Sequence, residues 1–290
     1  MLRKWKSYVL KGLGMNMNLI NLYMEKLYCD EKAESTIQKY RYELMRFARN
    51  IPDFDTITKE AVIAYKAEMK KSRKPSTINA AIAAINGFLR YIGKTDCIVK
   101  PVRVQRCNYR DESRMLRKKD YRMLLREAHK CADKTMYLAI ETMCALGLRV
   151  SELHCITRQA AERGRAIIEN KGKYRTMLLP KKLCEKVIAY CQKMGIESGQ
   201  VFLSGNGKPL RRGTIWRKMK RFGRDAGIEL RRVFPHNLRH LFAACFYQKT
   251  RDIEHLACFL GHVSMNTTRI YTMTSGEEHR RQLESLGLIS

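Results

Sequence analysis

Apolar residues recur through the first ninety positions at the three- and four-residue spacing of amphipathic helices. Ile20, Leu22, Tyr23, Leu27 and Tyr28 mark one such stripe. Ser35 is placed to cap a second helix through Tyr40, Leu44 and Phe47 toward Asn50. Thr58, with Ala61, begins a third through Ile63, Tyr65 and Met69. Ser76 is placed to cap a fourth carrying Ile78, Ile82, Ile85, Phe88, Leu89 and Ile92, and Gly93 ends it. Four short helices make a bundle of about 80–90 residues, a size that still permits an independent core.

The pattern then lapses. Lys94–Asp111 has no helical period, contains Pro101, and carries Lys94, Lys100, Arg103, Arg106 and Arg110. It reads as an extended interdomain linker that also touches phosphates. Helical spacing returns around Tyr121–Ala128 and Tyr137–Leu146. The period next shortens to that of strands: Ala166-Ile167-Ile168 and Met177-Leu178-Leu179 flank Lys171-Gly172-Lys173, a hairpin signal. Helices resume after Pro180, and a turn at Ser204–Pro209 precedes a basic helix through Trp216 and Met219. The predicted architecture is mainly α with a small β-hairpin. It comprises a helical domain over 1–93 with a basic tail at 1–14, a linker over 94–111, and an α+β domain over 112–290.

Charge narrows the partner. The 290 residues include 57 Lys and Arg against 28 Asp and Glu, a net charge of +29. Such an excess repels itself in a compact state, and a polyanion is its most economical counterpart. Residues 1–111 carry 22 basic and 11 acidic side chains and residues 112–290 carry 35 and 17. Two basic halves, rather than one basic end, suit a protein that grips a duplex from both sides. Ten cysteines include no CxxC pair, which disfavours a zinc knuckle. No signal-peptide pattern and no apolar run of membrane-spanning length occurs, so a cytoplasmic chain with reduced, buried cysteines is expected.

Three clusters carry candidate chemistry. In Pro235-His236-Asn237-Leu238-Arg239-His240, proline suits a first helical turn, and His236 and Arg239 share a face. An arginine fork beside a titratable imidazole is a poor structural pairing but a good phosphate site. His236 and His240 have zinc spacing, yet Asn237 stands where a zinc hydrolase needs glutamate. In Gly147-Leu148-Arg149-Val150-Ser151-Glu152-Leu153, Gly147 breaks a helix, Ser151 is placed to cap backbone, and Glu152 is placed to orient Arg149. In Leu260-Gly261-His262 through Tyr271, Gly261 ends one helix and Asn266 is placed to start the next, which presents Tyr271.

Together these clusters resemble the tyrosine recombinase, or phage integrase, family, Xer recombinases and mobile-element integrases included. GLRVSEL is similar to its first arginine motif, PHNLRHLFA to its HxxR box, and LGHVSMNTTRIY to its LGH…TxxY box. They come in family order, with Tyr271 32 residues beyond Arg239. The match spans about Lys118–Thr274; the first half is similar only in organisation, as a helical core DNA-binding domain. The resemblance implies that Arg149 and Arg239 bind a scissile phosphate and that His236 and His262 bond to it. It makes Tyr271 the nucleophile, with His236 expected to take the phenolic proton. A hairpin lysine would protonate the leaving 5′-oxygen. Lys171-Gly172-Lys173-Tyr174-Arg175 is one residue short of the family's K-G-x-K-x-R loop, so the role falls to Lys171 or Lys173, with Lys171 preferred because it precedes the glycine. The implied activity is site-specific recombination of double-stranded DNA through a 3′-phosphotyrosyl intermediate. No ATP, metal or other cofactor is implied, and the working form is a homotetramer on DNA; the residues of Gly276–Ser290, with Leu283, Leu286, Leu288 and Ile289 after a polar stretch, suit a tail that packs either on a neighbouring protomer or on its own domain. Chromosome resolution and mobile-element integration both fit. A type IB topoisomerase-like relaxase and a non-catalytic DNA-binding regulator on the same fold are the alternatives.

Overall fold

A computed structural model of the chain describes residues 2–51, 53–104, 112–170, 173–261, 265–272, 280–281 and 283–288, with backbone alone for 2–15, 112, 170, 173, 265 and 266. The chain divides into two compact units, Met1–Arg106 and Cys107–Ser290. The architecture is mostly helical, with one two-stranded antiparallel sheet.

The first unit holds α1 (Leu2–Cys29), α2 (Glu34–Ala48), α3 (Lys59–Ser72) and α4 (Pro75–Tyr91). Helix α4 is the most apolar and buries Ile78, Ala81, Ile82, Ile85, Phe88 and Leu89, so it runs through the core rather than over it. Phe47, Phe54 and Phe88 pack in sequence around it, with ring centroids 5.8 and 5.0 Å apart. Thr58 caps α3 by accepting from the Ala61 amide, as the sequence suggests. The two serine caps are not used. Pro75 takes the first position of α4 and drives Lys74 to extended backbone, so the cap falls on Lys74. Helix α2 starts at Glu34 behind Ala33, which puts an acid in its positively polarised first turn. The basic segment 2–14 is not a separate tail but the first half of α1. Its two glycines weaken a helix without ending it, and no proline interrupts. Tyr28, on the expected apolar stripe, is exposed.

The expected linker is less free than its sequence suggests. A short 3₁₀ turn at Thr95–Cys97 buries Cys97, and the chain beyond it lies along α4. Asn86 donates to the Val99 carbonyl at 2.8 Å and accepts from its amide at 3.2 Å. Asn79 does the same for Val102, at 2.9 and 2.7 Å. One carboxamide offers one acceptor and two donors, so it can satisfy the backbone of an extended residue that has no strand partner.

The second unit begins with α5 (Lys118–Lys130) and α6 (Thr135–Leu146). A 3₁₀ turn at Val150–Cys155 and the short α7 (Arg158–Glu162) lead to β1 (Arg165–Asn170) and β2 (Lys173–Leu178). The strands pair from Arg165 opposite Leu178 to Asn170 opposite Lys173, the hairpin read from the sequence. Then follow α8 (Lys181–Met194), α9 (Arg212–Asp225), α10 (Pro235–Thr250), α11 (Ile253–Leu260) and α12 (Met265–Thr268), which tightens into a 3₁₀ turn at Arg269–Tyr271. Helix α6 buries Met136, Leu138, Ala139, Ile140, Met143 and Leu146 and forms the centre of this unit, with α10 packed against it. Among the described residues, no helix is long and apolar enough to cross a membrane.

Candidate active site

The site is assembled around one carboxylate. Gly147 ends α6 in the left-handed conformation, φ 61°, and the chain turns so that Arg149 precedes a 3₁₀ turn. A side chain on Gly147 would also collide with Phe242, whose ring lies 2.5 Å from the position a Cβ would take. Glu152, at the third position of that turn, reaches back to the Arg149 amide at 3.0 Å. Glutamate here does the capping expected of Ser151, because a longer side chain is needed to return to the amide three residues earlier.

Glu152 is fully buried, and three guanidinium groups surround it. Arg149 Nη1 lies 2.7 Å from its Oε1. Arg175, on β2, approaches both oxygens, at 3.2 and 3.0 Å. Arg239 Nη1 stands 3.8 Å from Oε2. Burial by itself raises the Glu152 pKa, but the bonds from Arg175 and Arg149 outweigh it and hold the carboxyl at about 2.

Arg239 is 1% exposed, the largest fully buried side chain among the described residues. It donates to the Gly147 carbonyl at 2.9 Å and the Leu260 carbonyl at 2.6 Å. These carbonyls belong to the C-terminal ends of α6 and α11, where the peptide dipoles gather negative charge. Burial, followed by repulsion from Arg149, lowers the Arg239 pKa to about 10, so the group stays cationic at neutral pH.

Helix α10 delivers the remaining groups. Pro235 occupies its first position. Asn237 anchors the first turn by donating to the carbonyls of Arg114 and Arg232, both at 2.6 Å. His236 faces solvent; partial desolvation, then the charges of Arg239, Arg149 and Arg212, lower its pKa, so it is neutral at pH 7. One turn on, His240 packs edge-to-face on His236, with ring centroids 4.5 Å apart. Its Nδ1 is 2.6 Å from the hydroxyl of Tyr271. The tyrosine ring is buried against Ala243, Leu256 and Leu260.

The structure thus brings together Arg149, Arg239, His236 and Tyr271. The imidazole within hydrogen-bond distance of the phenolic hydroxyl is His240, one turn beyond His236. The sequence contains the signal, since His240 is one turn beyond His236, but there the pair carries meaning only as metal ligands. Arg175, too, is missed as a partner of Glu152, because side chains across a hairpin from a distant turn leave no local pattern. Lys171, His262, Arg106 and Arg110 lie outside the described residues. Lys94, Lys100 and Arg103 belong to the described part of the first unit, where Lys100 and Arg103 are exposed and Lys94 donates to the Asp55 carbonyl at 2.7 Å.

Residues 114–278 match the family model described as phage integrase family, and residues 20–94 match its N-terminal SAM-like domain. The chain belongs to the phage integrase family. It is 27% identical over 268 residues to a tyrosine recombinase XerA of Thermococcus kodakarensis, a match covering 89% of this chain and 91% of that protein. Among solved structures, XerH site-specific recombinase bound to difH substrate aligns with a TM-score of 0.66 and 22% identity, over 87% of this chain and 79% of that one. A lambda integrase tetramer bound to a Holliday junction aligns with a TM-score of 0.70 and 18% identity, over 88% and 76%. This integrase-family chain is a tyrosine recombinase, an enzyme of DNA breaking and rejoining.

Proposed function

We propose that the chain cuts double-stranded recombination sites with Tyr271 and exchanges strands as a tetramer in the cytoplasm. The observation that carries this reading is the Tyr271 hydroxyl, held 2.6 Å from His240 on the helix that also bears Arg239. Tyr271 Oη forms a bond to the scissile phosphorus while the bond to the 5′-oxygen breaks. The phenolic proton passes to His240, and Lys171 supplies a proton to the leaving oxygen. A phenol with a pKa near 10 needs such a base at neutral pH. Arg149, Arg239 and His262 hold the non-bridging oxygens, where guanidinium groups in a preorganised site stabilise developing charge. His236, at the N-terminus of α10, adds a neutral donor where the helix dipole favours an anion. The product keeps the phosphate on tyrosine as a 3′-ester with a free 5′-hydroxyl. The ester conserves the phosphodiester's energy, so a second 5′-hydroxyl can rejoin the strand without ATP. Lys94, Lys100, Arg103, Arg106 and Arg110 contribute phosphate contacts, and the tetramer seen for lambda integrase supports a four-protomer assembly.

A library of nicked duplexes with randomised cores tests the reading. Denaturing capture should recover DNA-linked protein, and peptide mapping should place the link on Tyr271. A link through any other residue overturns it. Among the histidines, His240→Ala is expected to slow single-turnover cleavage by about 10²-fold or more. His236→Ala should cost less; a larger loss for His236→Ala would return the phenolic proton to that residue.

A further inference from the structure

Arg175 has no place in the chemistry above, yet it touches three separate parts of the site. It sits on β2, and its guanidinium holds both oxygens of Glu152 at 3.2 and 3.0 Å. Glu152 in turn fixes the Arg149 side chain at 2.7 Å and the Arg149 amide at 3.0 Å. The same guanidinium also lies against Gly261: a Cβ there would lie 2.6 Å from Nη1 and 3.0 Å from Cζ. Gly261 closes α11 with φ 60°, and from it the chain continues to Tyr271 ten residues later. Arg175 is 18% exposed, and its Nε is buried with no hydrogen-bond partner among the described residues. An incompletely paired buried guanidinium is a poor device for stability. Its geometry is that of a strut between the hairpin, the Arg149 turn and the end of α11.

We infer that Arg175 is a positioning residue: wedged between Glu152 and Gly261, it sets the aim of Arg149 at the scissile phosphate. Glycine at 261 is required by the left-handed backbone and again by the volume of the Arg175 guanidinium. The inference rests on the reading that Arg149 neutralises a scissile phosphate. A residue acting through Arg149 should matter only while the phosphate carries the charge that Arg149 neutralises.

The test uses the full chain and a DNA site recovered by the covalent capture described above, in two forms. One carries the normal phosphodiester, and the other a neutral methylphosphonate at the scissile position. Arg175→Ala and Arg175→Lys are compared with wild type by single-turnover cleavage at saturating protein, with DNA affinity measured separately. On the phosphodiester, Arg175→Ala should lower the cleavage rate by about 10²-fold, the scale of losing one preorganised donor. Affinity should change by less than about threefold, since one oriented contact is at stake among many phosphate contacts. On the methylphosphonate the loss should shrink to within a few-fold. Arg175→Lys keeps the charge but not the two-pronged contact, and should fall between the two. It also serves as the measurable variant if Arg175→Ala does not fold.

Gly261→Ala supplies an independent arm. It should slow phosphodiester cleavage more with Arg175 present than in the Arg175→Ala background, where the collision is gone. Equal losses on both substrates, or additive effects of the two substitutions, would overturn the inference and reduce Arg175 to a structural ion pair. Failure of wild type to form any covalent link overturns instead the reading on which the inference rests.

Discussion

Tyr271→Phe is expected to abolish covalent capture of DNA while leaving the second unit folded. The ring is 5% exposed and packs on Ala243, Leu256 and Leu260, contacts that phenylalanine keeps in full. What is lost is the hydroxyl and its bond to His240. A single intramolecular hydrogen bond contributes about 0.5–1.5 kcal/mol net, so the melting temperature should move only slightly. The chemical loss is absolute for an adduct at this position, because phenylalanine has no oxygen to join to phosphorus. Binding to a recombination site should survive, since the phosphate-holding groups remain. Denaturing gels with a nicked duplex, run beside a thermal melt, read both quantities. A covalent product from the phenylalanine variant, with the variant folded, would remove Tyr271 from the reaction.

Glu152→Ala is expected to be the most destabilising single substitution in the catalytic unit. Its carboxylate is fully buried and balances Arg149, Arg175 and Arg239, the last two 18% and 1% exposed. Removing one partner of a buried ion pair costs about 3–5 kcal/mol, because the remaining charges stay desolvated and now repel one another. That is a large share of the ~5–15 kcal/mol that holds a domain folded. The pH dependence has a definite sign. The folded-state pKa of about 2 lies below the ordinary glutamate value of 4.5. The carboxylate therefore contributes its full stability above about pH 4.5, and that contribution is lost as pH falls from there through 2. A shift of this size corresponds to about 3 kcal/mol. Urea unfolding across pH 2–6 should show the loss in wild type and a flatter profile in Glu152→Gln, which keeps the shape but not the charge. Parallel profiles for the two proteins would place the acid sensitivity elsewhere.

The elements and most of the site could be read from the chain, for identifiable reasons. Helices α4 and α6 announce themselves through dense apolar spacing, and the hairpin through β-type runs around Lys171-Gly172-Lys173. Arg149, Arg239 and Tyr271 were legible because they lie in short motifs with fixed order. A serine cap gives way where a stronger local rule prevails, as where Pro75 fixes the start of α4. The packing of residues 97–102 along α4 has no hydrophobic signature, because its cause is two asparagines, Asn79 and Asn86, inside an apolar helix. The roles of His240 and Arg175 leave no local signature for a related reason. Their partners, Tyr271 and Glu152, lie 31 and 23 residues away and meet them only in the folded chain.

Among the described residues, the clustering of Arg149, Arg175 and Arg239 on one carboxylate leaves this cluster with two more positive than negative charges. On the proposed reading, a DNA phosphate entering it would act as a counterion of this partly buried cluster, and binding would relieve a tension that folding leaves in place. Affinity for the scissile position and resistance of the catalytic unit to unfolding are then two readings of the same electrostatic deficit. A change that relaxes the bare protein, such as an added acid near Arg149, would do so by weakening its hold on the strand it cuts.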